Sequence, residues 1–289
     1  MDRVFRTIQL PDCNRKTEIR MECFENGGEI VKVCKDRPKA NGFSKCHFEP
    51  GYRCDSSFEG VKSVAEALGL LSNGWTEKME PLKKSMKDAQ RKSFSMKNSG
   101  LKPDIVGFVP IVPNAILGLP NSMLNTSMKP KKNKVINLIY GLTYSAYVDQ
   151  RDIVKYGMNV MERVIKLEAD GFRVRLTCMQ NYGENDNSLY HLLACKVKSE
   201  DQPLDIQRVM FPLFHPAMFR TIGFGWYESL PEAKYIGGYG RPLYFNMSES
   251  QMDSLVEQLF GRTAIYVDGM SIEKKGIDYI DRKIRGKSE

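Results

Sequence analysis

No stretch of this 289-residue chain reaches the roughly 18–20 consecutive apolar residues that a bilayer-crossing helix needs. The opening residues, Met1-Asp-Arg-Val-Phe-Arg6, lack the apolar run of a secretory signal. A cytoplasmic protein is the expectation. The seven cysteines are an odd number without a Cys-x(2–4)-Cys knuckle, so a reducing compartment is simpler than a disulfide framework. Also missing are the Lys-Ser/Thr pair of a phosphate-binding P-loop and any nucleophile and base at recognisable spacing. The clustered carboxylates that a metal-dependent phosphoesterase or nuclease requires are missing too. No complete catalytic motif remains, and the expectation leans away from an enzyme.

What is present describes a globular protein. Hydrophobic residues make up 42% and charged residues 27%, which argues against wholesale disorder. Lys and Arg number 43 against 35 Asp and Glu, a formal net charge of +8. That balance suits acidic partners such as nucleic acid, although basic proteins without such partners are common.

Three stretches differ in pattern. Residues 1–57 read as a small β-rich region. Val4–Leu10 and Thr17–Phe24 are strand candidates, and Asn26-Gly27-Gly28 has the chemistry of a hairpin turn into a further strand at Glu29–Cys34. Residues 58–133 read as helix and connector. Val61, Val64, Ala65, Leu68 and Leu71 recur at helical spacing within Ser57–Ser72, and Gly74 stops the pattern. A basic helix with few core contacts follows over 75–99. Pro103, Pro110, Pro113, Pro120 and Pro130 then impose extended chain, expected to lie over a core.

Residues 134–289 read as an α/β domain, with an open, mostly parallel, doubly wound sheet spanning about 134–270. Val135–Tyr140 is apolar enough for a strand covered on both faces. A long amphipathic helix over Asp149–Asp170, stopped by Gly171, leads to an alternating strand at Phe172–Met179. The short link to Leu189–Val197 permits only an antiparallel neighbour, expected as the edge strand. Helices over Asp205–Phe214, Pro216–Leu230, Ser248–Phe260 and Ile272–Ile284 surround a last strand at Thr263–Val267.

Strand, long helix, parallel strand and antiparallel edge strand is an order that resembles von Willebrand A-type domains. In those, Asp-x-Ser-x-Ser after the first strand binds a divalent cation. Here the stretch is Gly141-Leu-Thr143-Tyr-Ser145, with glycine where the aspartate belongs. Hydroxyls alone supply little charge to offset Mg²⁺ dehydration. Asp268, at the end of another strand, is the one carboxylate placed to help. The resemblance therefore leaves a weak metal site at Thr143, Ser145 and Asp268, or two hydroxyls that cap a turn. More specifically, the chain resembles a family of tailed-phage proteins of unknown function with such a core. The carrying positions are Gly141–Ser145, Gly157, Leu167-Glu168, Gly171, Val174, Leu204-Asp205, Phe214-His215-Pro216, Arg220, Phe224 and Gly238-Tyr-Gly-Arg-Pro242. It implies a fold and a viral setting in host cytoplasm, not a reaction.

Several candidate sites remain, each with a plainer reading. His215 and Arg220 suit an anion or a proton transfer; alternatively His215 caps the preceding helix and Arg220 pairs with Glu228. Gly238, Tyr239, Gly240 and Arg241 suit a phosphate, or form a connector. Cys13, Cys23, Cys34, Cys46, Cys54 and His47 are the only zinc candidates, without the usual spacing. Lys83, Lys84, Lys87, Arg91 and Lys92 suit a nucleic-acid backbone, or a solvated helix face. The tail from Lys274 to Lys287 has the same two readings. Together these give a non-enzymatic protein that binds a protein partner through the rim at Thr143, Ser145, Gly238–Arg241 and Asp268. The alternative is nucleic-acid binding through residues 78–102, and no cofactor beyond a weakly held Mg²⁺ is expected.

Overall fold

The structure is a computed structural model. It describes residues 2–13, 16–40, 42–43, 46–77, 79–98, 101–107, 109–126, 134–183, 189–234, 240 and 242–287, without side chains at 89–98, 101–102, 126 and 183. The chain begins with a hairpin of β1 (Asp2–Gln9) and β2 (Lys16–Phe24), followed by helices α1 (Gly27–Asp36), α2 (Ser56–Glu59), α3 (Val64–Asn73) and α4 (Met79–Asn98). An arm holds β3 (Leu101–Asp104), β4 (Val109–Pro110), α5 (Val112–Ile116) and β5 (Met123–Thr126). Then come β6 (Val135–Gly141), α6 (Gln150–Ala169), β7 (Arg173–Gly183), β8 (Leu189–Lys198) and α7 (Ile206–Phe214). A π-helix, Met218–Gly223, runs into α8 (Phe224–Glu228). The chain ends with α9 (Glu249–Phe260), β9 (Ala264–Asp268), α10 (Gly269–Lys275) and α11 (Asp278–Gly286).

Six strands form one mixed sheet in the order β1-β2-β8-β7-β6-β9. The β2–β8, β6–β7 and β6–β9 pairings are parallel; β1–β2 and β7–β8 are antiparallel. Alternation along each strand feeds two cores. Leu138 and Tyr140 of β6, Leu193 and Cys195 of β8, and Ile265 and Val267 of β9 face one core. Val160, Val164, Phe211 and Phe214 of α6 and α7 cover that face. Ile139, Leu192, Ala194 and Tyr266 point the other way, onto Met252, Leu255 and Val256 of α9. A sheet covered on both faces requires apolar residues at odd and even positions alike, as Ile136–Tyr140 supplies.

α6 shows how local sequence sets these boundaries. Asp149 caps its start, accepting from Arg151 N. At its end Gly171 N donates to Glu168 O and Phe172 N to Leu167 O, a Schellman closure made accessible by the φ of 92° at Gly171. Gly157 lets α6 approach α7: a Cβ there would lie 1.9 Å from Cβ of Phe214.

Several expectations need correction. Glu29–Cys34 is helix α1, not a strand: Asn26 Oδ1 accepts from Glu29 N, so the Asn-Gly-Gly segment caps a helix. β8 is antiparallel to β7 but is not an edge, because β2 pairs with it from Glu18↔Leu189 to Phe24↔Cys195. The hairpin of residues 2–24 thus shares the sheet of β6–β9. The helix read over Ser57–Ser72 is broken at Gly60, and that over Ile272–Ile284 at Gly276, both with positive φ. Pro216–Leu230 is π-helical before it is α-helical. α4 is less detached than its charge suggests, with Leu82 fully buried. The largest difference is the arm. Residues 112–116 are helical, and its apolar side chains do not lie over the core.

Candidate protein-binding surface

The sheet edge after β6 gathers the positions that carried the von Willebrand A resemblance. Gly141 pairs with Asp268 across β6 and β9, and Thr143 and Ser145 follow on the loop. Their polar groups are engaged within the protein. Thr143 Oγ1 accepts from Asn181 N at 2.7 Å, and Ser145 Oγ accepts from Tyr147 N at 3.4 Å. Asp268 caps α10, accepting from Ser271 N at 2.7 Å and Ser271 Oγ at 3.1 Å. Burial pushes the Asp268 carboxyl above its ordinary range. A Cβ at Gly141 would lie 2.2 Å from Tyr266 Oη, so no aspartate fits beside that ring. The hydroxyls of Tyr140 and Tyr144 meet at 2.5 Å, both buried. Tyrosines fill the edge where the resemblance places a cation. Among the described residues no three His, Cys, Asp or Glu side chains are grouped as a metal site requires, around the N-terminal cysteines included.

Arg220 stands on the π-helix and is 1% exposed. It is not paired with Glu228. Nη1 donates to Phe58 O at 2.8 Å, Nη2 donates to Ser145 O and Val148 O at 3.1 Å each, and the guanidinium lies 4.2 Å over the Phe58 ring. One cation thereby ties the loop after β6 to α2. Gln180 Nε2 donates to Met218 O on the π-helix at 3.1 Å.

A network that the sequence did not reveal lies beside it. Glu228 accepts from His47 N and bonds His47 Nδ1, both at 2.8 Å. His47 Nε2 meets the Tyr52 hydroxyl at 2.9 Å, and Glu59 accepts from Asp55 N at 2.9 Å and Thr221 Oγ1 at 2.7 Å. Glu59, Glu228, His47 and Thr221 are all buried. Burial pushes the Cys54 thiol up to about 12, away from nucleophilic reactivity. The arrangement joins the segment 46–59 to the π-helix and α8. Only its buried glutamates could have signalled it, and burial is not readable from isolated charged residues.

His215 closes α7 with its backbone, donating to Phe211 O, while its Nδ1 accepts from Ala217 N at 3.1 Å. The ring stacks on Phe211 and meets the edge of Trp75. Burial pulls its pKa down to about 4. Between pH 6.5 and 4 the unfolded chain takes up a proton that the folded protein refuses, so stability falls as pH drops through that window and levels out below it. His215→Gln removes this part of the slope, up to about 3 kcal/mol. Urea unfolding at pH 7 and pH 4.5 checks it; equal slopes in both proteins contradict it.

Of the remaining site positions, Gly238, Tyr239 and Arg241 lie outside the described residues, as do the side chains of Arg91 and Lys92. Gly240 has a φ of 88°. Lys83, Lys84 and Lys87 project from α4 into solvent, Lys83 paired with Glu80 at 3.1 Å.

The arm holds seven of the eleven large apolar side chains exposed among the described residues. Among the described residues its three strands pair only with one another, in the order β3-β5-β4, from Leu101↔Thr126 to Pro110↔Met123. Not one described residue between 103 and 125 is buried. Ile105, Val106, Ile116 and Leu117 are 68–79% exposed, joined by Val109, Val112 and Leu119. Between 101 and 126 only Lys102 and Asp104 are charged, and with opposite sign.

No helix among the described residues is long and apolar enough to cross a membrane. No curated protein and no solved structure matches the chain. Residues 12–284 match one family model, described as Domain of unknown function (DUF7192). With that match running from the turn after β1 into α11, the chain belongs to the DUF7192 family.

Proposed function

We propose that this chain is a non-enzymatic assembly protein whose protein partner is a second copy of itself, held through the arm of residues 101–126. One observation carries the reading: a three-stranded sheet in which no described residue is buried. A sheet that small needs an apolar face packed on something to be stable. Seven large exposed side chains within 26 residues also exceed the scattered apolar exposure normal for a monomer. The near absence of charge lets two arms meet without repulsion, although the chain as a whole carries +8. Among the described residues β3 and β4 each leave one edge open for strand addition. The rim at Thr143, Ser145 and Asp268 is less suited to the contact, since its polar groups are spent internally.

The order strand, long helix, parallel strand, antiparallel strand in β6–β8 supports a von Willebrand A-like reading of the core, with β2 and β1 added beyond β8. A phage setting stays part of this proposal and rests on the scattered positions named above. Sedimentation velocity over a range of concentrations tests the assembly. The wild type is expected to associate reversibly, and a chain that stays monomeric throughout would overturn the reading.

A second reading, nucleic-acid binding, is favoured by the exposed Lys83, Lys84 and Lys87 along α4. It expects affinity for a duplex that falls steeply with salt, and neutralising these three lysines would lower the slope of log K against log[salt] by about 3. An unchanged slope in a gel-shift titration counts against it.

A further inference from the structure

A cleft of about 620 Å³ opens between α3 and α6, with His215 and Pro216 at its floor. Its size lies within the range of small-molecule sites. Leu70, Trp75, Val154 and Met158 supply an apolar wall. Gly60, whose Cβ would sit 3.3 Å from His215 Cε1, keeps the floor open.

Two features give the cleft a chemistry. The first is His215, which is 6% exposed. Its Nδ1 is occupied as an acceptor by Ala217 N, so the neutral ring carries its proton on Nε2. That N–H has no partner among the described residues, and the ring that bears it lines the cleft. Phe211 and Trp75 fix the ring plane, making a donor with one orientation. The second feature is charge. Glu66, Glu77 and Glu162 line the opening together with Arg151 and Lys155. Both cations already face carboxylates elsewhere: Lys155 pairs with Glu273 at 3.2 Å and Arg151 with Asp149 at 3.3 Å. Glu77 and Glu162 have no ion pair among the described residues, and the lining sets three carboxylates against two cations.

We propose that this cleft binds a small organic cation: an amine joined to an apolar body, with a hydrogen-bond acceptor that meets His215 Nε2–H. The apolar body packs on Trp75, Leu70 and Met158, and the ammonium faces Glu77 and Glu162. None of the residues lining the site belongs to the arm, and the proposal is independent of assembly.

Trp75 provides the readout, since the only other tryptophan, Trp226, is 1% exposed and bonded to Glu22. The probes are leucinamide, which carries amine, apolar group and carbonyl acceptor, its neutral form N-acetylleucinamide, and the anion N-acetylleucine. Leucinamide is expected to shift tryptophan emission saturably, about tenfold tighter than the neutral probe, with no saturation by the anion. Glu77→Gln with Glu162→Gln, at the accessible opening, is expected to erase the preference for the cation. His215→Phe weakens leucinamide about tenfold while the cation preference stays. Absence of saturation with leucinamide up to its solubility limit, equal affinity for cation and anion, or a preference untouched in the double variant would each overturn the assignment.

Discussion

Arg220→Met is expected to destabilise the fold by about 3–5 kcal/mol. Three charge-assisted hydrogen bonds, to Phe58 O, Ser145 O and Val148 O, disappear together, each worth roughly 1.5–3 kcal/mol. Relief of guanidinium desolvation offsets part of that sum. Around a side chain that is 1% exposed, Phe58 O and Val148 O lose the Arg220 donor outright, while Ser145 O keeps Val148 N. A loss of this size is a large share of a typical domain's 5–15 kcal/mol. Arg220→Lys recovers only part of it, because an ammonium cannot fork across three carbonyls (from α2 and from the loop after β6) as a planar guanidinium does. Urea unfolding of the three proteins at pH 7 measures the effect. A loss below about 1 kcal/mol in the methionine variant would mean that the loop is held by something else.

The second large effect concerns assembly. Ile105→Glu with Leu117→Glu puts two carboxylates into a face that carries only Lys102 and Asp104. Both positions are about 70% exposed, at 68% and 72%, so the folded chain alone bears little cost. The expected change in unfolding free energy of the body is within about 0.5 kcal/mol. Self-association, by contrast, is expected to weaken at least about a hundredfold, since each copy brings its own uncompensated charges to the contact. Sedimentation and urea unfolding of one preparation separate the two effects. Unchanged association would remove the arm from the interface; association lost together with the fold would mean that the arm packs on its own chain.

Comparing sequence with structure shows where pattern suffices. β6, α6, β7, β8, α9 and β9 were each legible because hydrophobic period and caps agreed, as with Asp149 and Gly171 around α6. Ahead of α1, Asn-Gly-Gly suits a hairpin turn as well as a helix start. The helix start shows in Glu25 N donating to the Glu29 carboxylate, beside Glu29 N donating to Asn26 Oδ1. The parallel β2–β8 pairing joins residues some 170 apart, and no local signal announces it.

The sites divide in the same way. That Gly141 lacks a carboxylate was visible, but the reason, Tyr266 occupying the space, came from a neighbouring strand. The His47–Glu228 pair spans 181 residues. In the arm, the apolar runs read as chain covering a core, because sequence reports hydrophobicity and not where its partner lies. Exposed apolar chain looks identical, residue by residue, to chain buried beneath a helix.

Hydrogen exchange of the arm amides, followed in samples diluted below and concentrated above the association midpoint, tests the central claim most directly. Added protection confined to residues 101–126, appearing only in the associated sample and absent from the Ile105→Glu/Leu117→Glu variant, is the result expected. Arm amides that exchange equally fast in both samples, with new protection elsewhere on the surface, would contradict it.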